Sequence, residues 1–177
     1  GGVDAIPLCV DLHSADELDN FVKSIAPSFG GINLEDIAAP ICFEVEDRLQ
    51  DLGIPVVHDD QHGTAMVVTA ALINSAKVVG KKYEDLTVVI SGAGAAGLAI
   101  AQMLLSVDRM HGKLVEVEGK RVKNVIILDS KGIIDENGGG LKTEFAKITN
   151  LEKRSGGLEE AIVGADAFIG VSKGGIM

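Results

Sequence analysis

The residues of this chain best suited to chemistry fall into one glycine-rich turn and two acidic pairs. Gly92-Ala93-Gly94-Ala95-Ala96-Gly97 has the form G-x-G-x-x-G. The first glycine permits a tight turn, the second lets backbone approach a pyrophosphate, and the third lets a helix pack on a strand. In a chain with 22 glycines the pattern alone says little. Its context says more: the β-branched run Leu86–Ser91 precedes it and a helical pattern follows. That is the order the mechanism requires, with free N–H groups at the helix start facing phosphate oxygens. Asp129 closes the next predicted strand, Val122–Asp129, where a carboxylate can accept hydrogen bonds from the ribose hydroxyls of a dinucleotide. It lies 32 residues beyond Gly97, against a usual spacing of about 20. The surplus is assigned to the charged segment Val107–Arg121, read as lengthening the helix and its loop. NAD and NADP both stay open, because Asp129 would repel a 2′-phosphate while Lys131 could pair with one.

Glu35-Asp36 and Asp59-Asp60 each follow a predicted strand. In a parallel sheet such ends gather at one edge, where ligands bind. Carboxylates converging there would repel one another unless a cation sat between them, and hard oxygen ligands select Mg²⁺ or Mn²⁺. The plainer alternative is that these acids are solvated caps of the helices that follow. His58 and His62 have i, i+4 spacing, but the segment between them reads as strand end and turn, with no shared face for zinc. His13 and His111 are assigned no role.

Other elements must position these residues. Ala5–Val10 reads as a short buried strand, and Cys9 and Cys42 as buried, inert thiols. Ser14-Ala15-Asp16-Glu17 has capping-box form, and Leu18, Phe21, Val22 and Ile25 follow on one helix face. Pro27 stops that helix. Phe29–Leu34 reads as a strand, and Pro40 opens a helix with Phe43, Val45, Leu49 and Leu52 as its core, closed by Gly53. Ile54–His58 is a third strand, and a helix is predicted from about Thr64 to Val79, with Gly80 beyond it. Lys81–Asp85 is the expected boundary between a first unit, 1–80, and a second, 81–177. In the second unit come a strand at Leu86–Ser91, a helix from about Ala95 to Met110, a flexible loop at Gly138–Gly140, a short helix at Leu158–Gly164 and a last strand at Asp166–Ser172. Alternating strands and helices predict an α/β fold, a Rossmann-like doubly wound parallel sheet preceded by part of a smaller α/β domain for substrate and metal.

Composition narrows the partners. The net charge is −10, which argues against nucleic acid and anionic membranes. Leu86–Leu105 runs for twenty residues without a charge, as long as a membrane span. Ser91, Gly92, Gly94, Gly97 and Gln102 within it fit a strand, turn and helix better. No signal peptide is seen, so a cytoplasmic location is expected.

The segments Phe29–Ile37 (FGGINLEDI) and Val57–Thr64 (VHDDQHGT) together resemble the bacterial malic enzymes. Ser91–Gly97, Leu128–Gly132 and Phe168–Ser172 resemble the same family in the same order, so the likeness covers nearly the whole chain. The resemblance implies oxidative decarboxylation of (S)-malate to pyruvate and CO₂ with reduction of NAD or NADP. It implies a divalent metal, Mg²⁺ or Mn²⁺, held by Glu35, Asp36 and Asp60, with Asp59 beside the substrate in the proton network. It places Ala93–Ala96 along the cofactor phosphates and Ser172 near the nicotinamide, and it implies a homo-oligomer.

The family's tyrosine acid and lysine base precede a segment resembling Gly1–Leu8; neither Tyr83 nor any lysine here matches them. An Asn-Pro segment that helps hold substrate would lie beyond Met177. The chain, which starts at Gly1, therefore reads as a fragment or processed form, expected to bind dinucleotide and metal yet turn malate over poorly. Two rivals are another NAD(P)-dependent dehydrogenase and a non-catalytic dinucleotide-binding module.

Overall fold

The computed structural model describes residues 2–110, 113–172 and 174. His111, assigned no role above, lies outside them. The first helix, α1 (Ala15–Ile25), starts at the expected capping box: Ser14 accepts from the Glu17 N–H, and the Glu17 side chain returns to the Ser14 backbone. Its apolar face joins a small core with α2 (Ile41–Leu49) through Leu18, Val22, Val45 and Leu49. Strands β1 (Ile32–Leu34) and β2 (Val56–His58) form a two-stranded parallel sheet over that core. Both are shorter than predicted. Pro55 has no N–H to extend the ladder, and its carbonyl instead accepts from Ile32 at 2.9 Å.

Four expectations in this region are corrected. Ala5–Val10 forms no strand, and Ile6, Leu8 and Val10 are exposed. Among the described residues β1 and β2 pair only with each other, so that apolar run has no ladder to join. Cys9 on it is exposed, whereas Cys42 is buried, where loss of hydration pushes its thiol up to about 11. The helix after β2 begins five residues early: α3 spans Asp59–Val78, so Asp59 and Asp60 occupy its first turn. Gly53 follows α2 at a distance; the helix ends at Leu49, and Gly53 turns the chain at φ +82°.

The larger sheet has the order β7 (Gly132–Ile133), β6 (Asn124–Asp129), β3 (Thr87–Ser91) and β8 (Ala167–Gly170). The three main strands are parallel, and the short β7 pairs antiparallel with β6. Side chains alternate across it. Val88, Ile90, Val125 and Ile127 face a core shared with α3 and α4 (Ala95–Leu105), while Val89, Ile126 and Leu128 face Ala161 of α6 (Leu158–Ala161). Helices therefore cover both faces, and the fold is the expected Rossmann-like α/β architecture. The uncharged stretch at 86–105 is strand, turn and helix. No helix among the described residues is long and apolar enough to cross a membrane.

The charged insertion does not lengthen α4. That helix ends at Leu105, capped by Ser106 at φ +52°. The chain then forms an antiparallel pair, β4 (Val107–Met110) with β5 (Lys113–Glu116). A further helix, α5 (Gly140–Ile148), starts at the last residue of the glycine triplet and buries Phe145 completely. The periodicity reading missed it because three glycines and an isolated apolar pair disguise its start.

Candidate functional site: a glycine edge, an acid edge and a polar node

The chain runs from β3 to β6 on one side, then crosses to β8 on the other. Loops from adjacent strands thus leave in opposite directions between β3 and β8, the point at which open α/β sheets leave a crevice. Ser91–Gly94 and Val171–Ser172 lie there, joined by the Val171 N–H donating to Ser91 at 2.9 Å. Gly92 sits at φ +127°, and a Cβ on it would come within 2.8 Å of the Val171 carbonyl oxygen. Its N–H donates to Leu128 at 2.9 Å, tying the turn to β6. At Gly97 a Cβ would fall 1.7 Å from the Gly92 carbonyl oxygen, so only glycine lets α4 approach so closely.

Gly94 is different. It is the N-cap of α4, and no atom stands within 4 Å of where its Cβ would be. No side chain caps the helix, which leaves the first N–H groups, on Ala95, Ala96 and Gly97, without an intrahelical partner. Space beside Gly94 and uncapped donors together suit a phosphate group. Ala93 is half-buried at the turn, and Ser172 is exposed just past β8.

Asp129 ends β6 beside this turn. Its Oδ1 accepts the Lys131 N–H at 2.8 Å, and its Oδ2 accepts the Lys142 ammonium at 2.5 Å. The Lys142 bond is the main reason its carboxyl lies below the usual range; the Lys131 N–H and the two lysine charges assist against partial burial. Lys142 is a residue that sequence reading did not single out. Lys131, the residue thought able to compete with Asp129, gives that carboxylate a hydrogen bond from its backbone and acts on it with its side chain through charge alone.

At the acid edge, β1 and β2 pair in register with Leu34 opposite His58. The residues that follow are thereby brought together. Asp36, at φ +57°, donates its N–H to Asp60 Oδ2 at 2.8 Å. The other two acids turn elsewhere. Glu35 accepts from the Asn33 side chain at 3.4 Å, and Asp59 lies back over the Cα of Gly63, whose added Cβ would meet Asp59 Oδ1 at 2.2 Å. Among the described residues no group of three or more His, Cys, Asp and Glu side chains converges as a metal nest. As the side chains stand, they do not make a finished cation site. His58 is fully buried, with Asp60 Oδ2 3.9 Å from Nε2 and no hydrogen bond to either ring nitrogen. His62 turns instead to Glu46, so the two histidines share no ligand.

Beside the acid edge a polar node joins α2, α3 and β4. Glu46 of α2 is 5% exposed. Its carboxylate accepts His62 at 2.5 Å, Arg109 of β4 at 2.9 Å and Gln61 at 3.3 Å. Burial alone would raise its pKa, but the His62 bond and the charges of His62 and Arg109 hold it below the ordinary value. Arg109 also reaches Asp47 at 3.0 Å and lies 4.9 Å over the Phe43 ring. One sequence signal could have found Glu46: it follows Cys42 and Phe43 by four and three residues and precedes Leu49 by three, an acid on an apolar stripe. Nothing local marks Arg109.

Residues 61–175 match the family described as "Malic enzyme, NAD binding domain". The chain is 47% identical over 180 residues to an NAD-dependent malic enzyme of Geobacillus stearothermophilus, covering 99% of this chain and 35% of that protein. It is 41% identical over 181 residues to an NADP-dependent malic enzyme of Haemophilus influenzae, covering 99% of this chain and 22% of that one. Among solved structures, the NAD-dependent malic enzyme of Thermotoga maritima superposes with a TM-score of 0.87 at 46% identity, over 99% of this chain and 45% of that one. The chain thus spans less than half the length of each of these relatives.

Proposed function

The chain belongs to the malic enzyme family and carries its NAD(P)-binding domain, and from that premise we propose that it serves the oxidative decarboxylation of (S)-malate to pyruvate and CO₂. The observation that carries the reading is the crevice between β3 and β8, with an unfilled space at Gly94 and an uncapped α4 behind it. Ala93, Gly94, Ala95 and Ala96 would bind the pyrophosphate through backbone N–H groups. Gly92 and Gly97 hold that turn in place by close packing. Asp129 would face the adenosine ribose, and Ser172 the nicotinamide end. The bound nicotinamide supplies the hydride acceptor for C2 of malate. The division of labour we assign is 1–80 to the acid edge and 81–177 to the dinucleotide.

Glu35, Asp36 and Asp60 are proposed to hold Mg²⁺ or Mn²⁺, with Asp59 next to the substrate. What supports this is the parallel pairing that brings the two acidic pairs to one edge. What stands against it is that Asp60 is already committed to the Asp36 N–H and that Glu35 turns to Asn33. We therefore rank dinucleotide binding first and turnover by this chain alone second, since no residue here matches the family's tyrosine and lysine. A homo-oligomer is proposed from the resemblance.

Three measurements test the reading. Titration with NADH, followed by its fluorescence, should saturate; no binding would remove the proposal. Malate-dependent reduction of NAD or NADP in the presence of Mn²⁺ should be weak with the chain alone. Robust turnover would show that the acid and base are supplied within these 177 residues. A Glu35→Gln, Asp60→Asn pair should abolish Mn²⁺ binding, and retention of wild-type affinity would refute the metal assignment.

A further inference from the structure

We infer that the cavity enclosed by α3, α4 and the β4–β5 hairpin binds an elongated aliphatic carboxylate that carries a hydrogen-bonding group at its far end. The turn Gly92–Gly97 takes no part in its lining, so the inference stands apart from the dinucleotide reading. The cavity holds about 710 Å³, within the range of small-molecule pockets. Small side chains open it: Ala65 and Ala76 of α3 meet Ala99 of α4, and Ile73, Met103 and Val117 form apolar walls. The hairpin is fastened over it by Ser106, whose carbonyl accepts the Val117 N–H at 2.9 Å and whose hydroxyl donates to the Lys120 carbonyl at 3.0 Å. The two rings at its border, His62 and Tyr83, belong to the first turn of α3 and to the segment beyond its last. They cannot bracket a flat base, so an aliphatic body fits the walls better.

Four lysines and three acids line the cavity, in a chain of net charge −10. Lys81 is paired with Asp166, and Lys120 with Glu84. Lys77 and Lys82 hold no hydrogen bond or ion pair among the described residues, although the Lys82 charge reaches Glu84. Both stand at the C-terminal end of α3, whereas Asp108 and Glu118 belong to the hairpin side. An anionic head therefore goes to the end of α3. Thr69 sets the other end. It lines the cavity at 9% exposure, and its Oγ1 has no hydrogen-bond partner, not even the carbonyl one turn back that a helical threonine can take. A buried, unpaired hydroxyl is costly, and an oxygen on the ligand would satisfy it. Thr69 precedes Lys77 by eight residues. That is about 12 Å along a helix axis, close to the span of an extended ω-hydroxydecanoate.

The test is amide NMR of the whole chain titrated with ω-hydroxydecanoate, held below its aggregation threshold. Saturable shifts should appear in Thr69–Tyr83 and Val117–Lys120, with Gly92–Gly97 unmoved. Plain decanoate should bind about fivefold more weakly, the weight of one neutral hydrogen bond. Thr69→Val, which keeps the side-chain shape, should erase that preference. The Lys77→Ala, Lys82→Ala pair should weaken both acids by about fivefold, as expected for exposed charges, and amide spectra confirm that each variant folds. Absence of saturable shifts, shifts centred on Gly92–Gly97, equal binding of the two acids by wild type, or unchanged affinity in the lysine pair overturns the inference. None of these outcomes alters the NADH titration, which tests the dinucleotide reading separately.

Discussion

The glycine edge and the acid edge are both carboxyl ends of parallel strands, yet they are built from different materials. At the glycine edge the geometry is made by backbone. Gly92 and Gly97 approach neighbouring carbonyls more closely than any side chain allows, and a charged contact, the Asp129–Lys142 pair, stands at its margin. At the acid edge the geometry is made by side chains, with Asp60 on the Asp36 N–H and Glu46 gathering His62, Gln61 and Arg109. A site made of backbone is set once the chain folds around it. A site made of side chains depends on every neighbouring charge, including one from the other half of the molecule.

Substitutions that add or remove single groups should separate the two. The largest effect is expected at Gly97→Val, which cannot place its side chain beside the Gly92 carbonyl. NADH affinity should fall by about 1,000-fold or more, beyond the loss of a single charge-assisted hydrogen bond. Wild-type affinity in that variant would show that the edge is not made by close backbone packing. Next is Arg109→Met, which strands the buried Glu46 charge and should cost about 3–5 kcal/mol in urea unfolding. The double variant Glu46→Gln, Arg109→Met should recover much of that loss in a mutant cycle. Additive losses would mean that the two side chains are not one unit.

Acid titration sharpens the contrast further. Glu46 has its pKa lowered below 4.5 by folding, so its contribution is fully present above that ordinary value and is lost as pH falls through the folded one. The urea stability of wild type should therefore drop faster than that of Glu46→Gln as pH falls below 4.5. Parallel curves would count against a charged node. The smallest effect is expected at Lys81→Ala. Lys81 pairs with Asp166 across the surface, from just after α3 to just before β8. Its loss should cost less than about 1 kcal/mol, since the Thr87 N–H still donates to Asp166 at 2.8 Å.

The same difference explains what could be read in advance. Gly92, Gly94 and Gly97 were legible because a backbone constraint leaves a local signature: three residues without side chains, between a strand and a helix. Strand β6 and its terminal Asp129 were legible from an apolar run with an acid at its end. The start of α3 was not, because Asp59-Asp60-Gln61-His62-Gly63 looks like a turn, while in the structure Asp59 and Asp60 favour the positive end of a helix. Ala5–Val10 was misread for a complementary reason: an apolar run predicts burial only where a neighbouring strand exists to receive it. Arg109 and Lys142 were invisible because each finds its partner far along the chain, at positions 46 and 129. Such pairings are properties of the assembled fold and leave no period in the sequence.

The Arg109–Glu46 contact also limits how this protein can be cut and recombined. A chimera joined in the linker after α3 would carry the guanidinium on one parent and its acceptor on the other. Unless both parents bring matching partners, the recombinant would hold an unneutralised ion at its interior junction, however well the two parental backbones superpose.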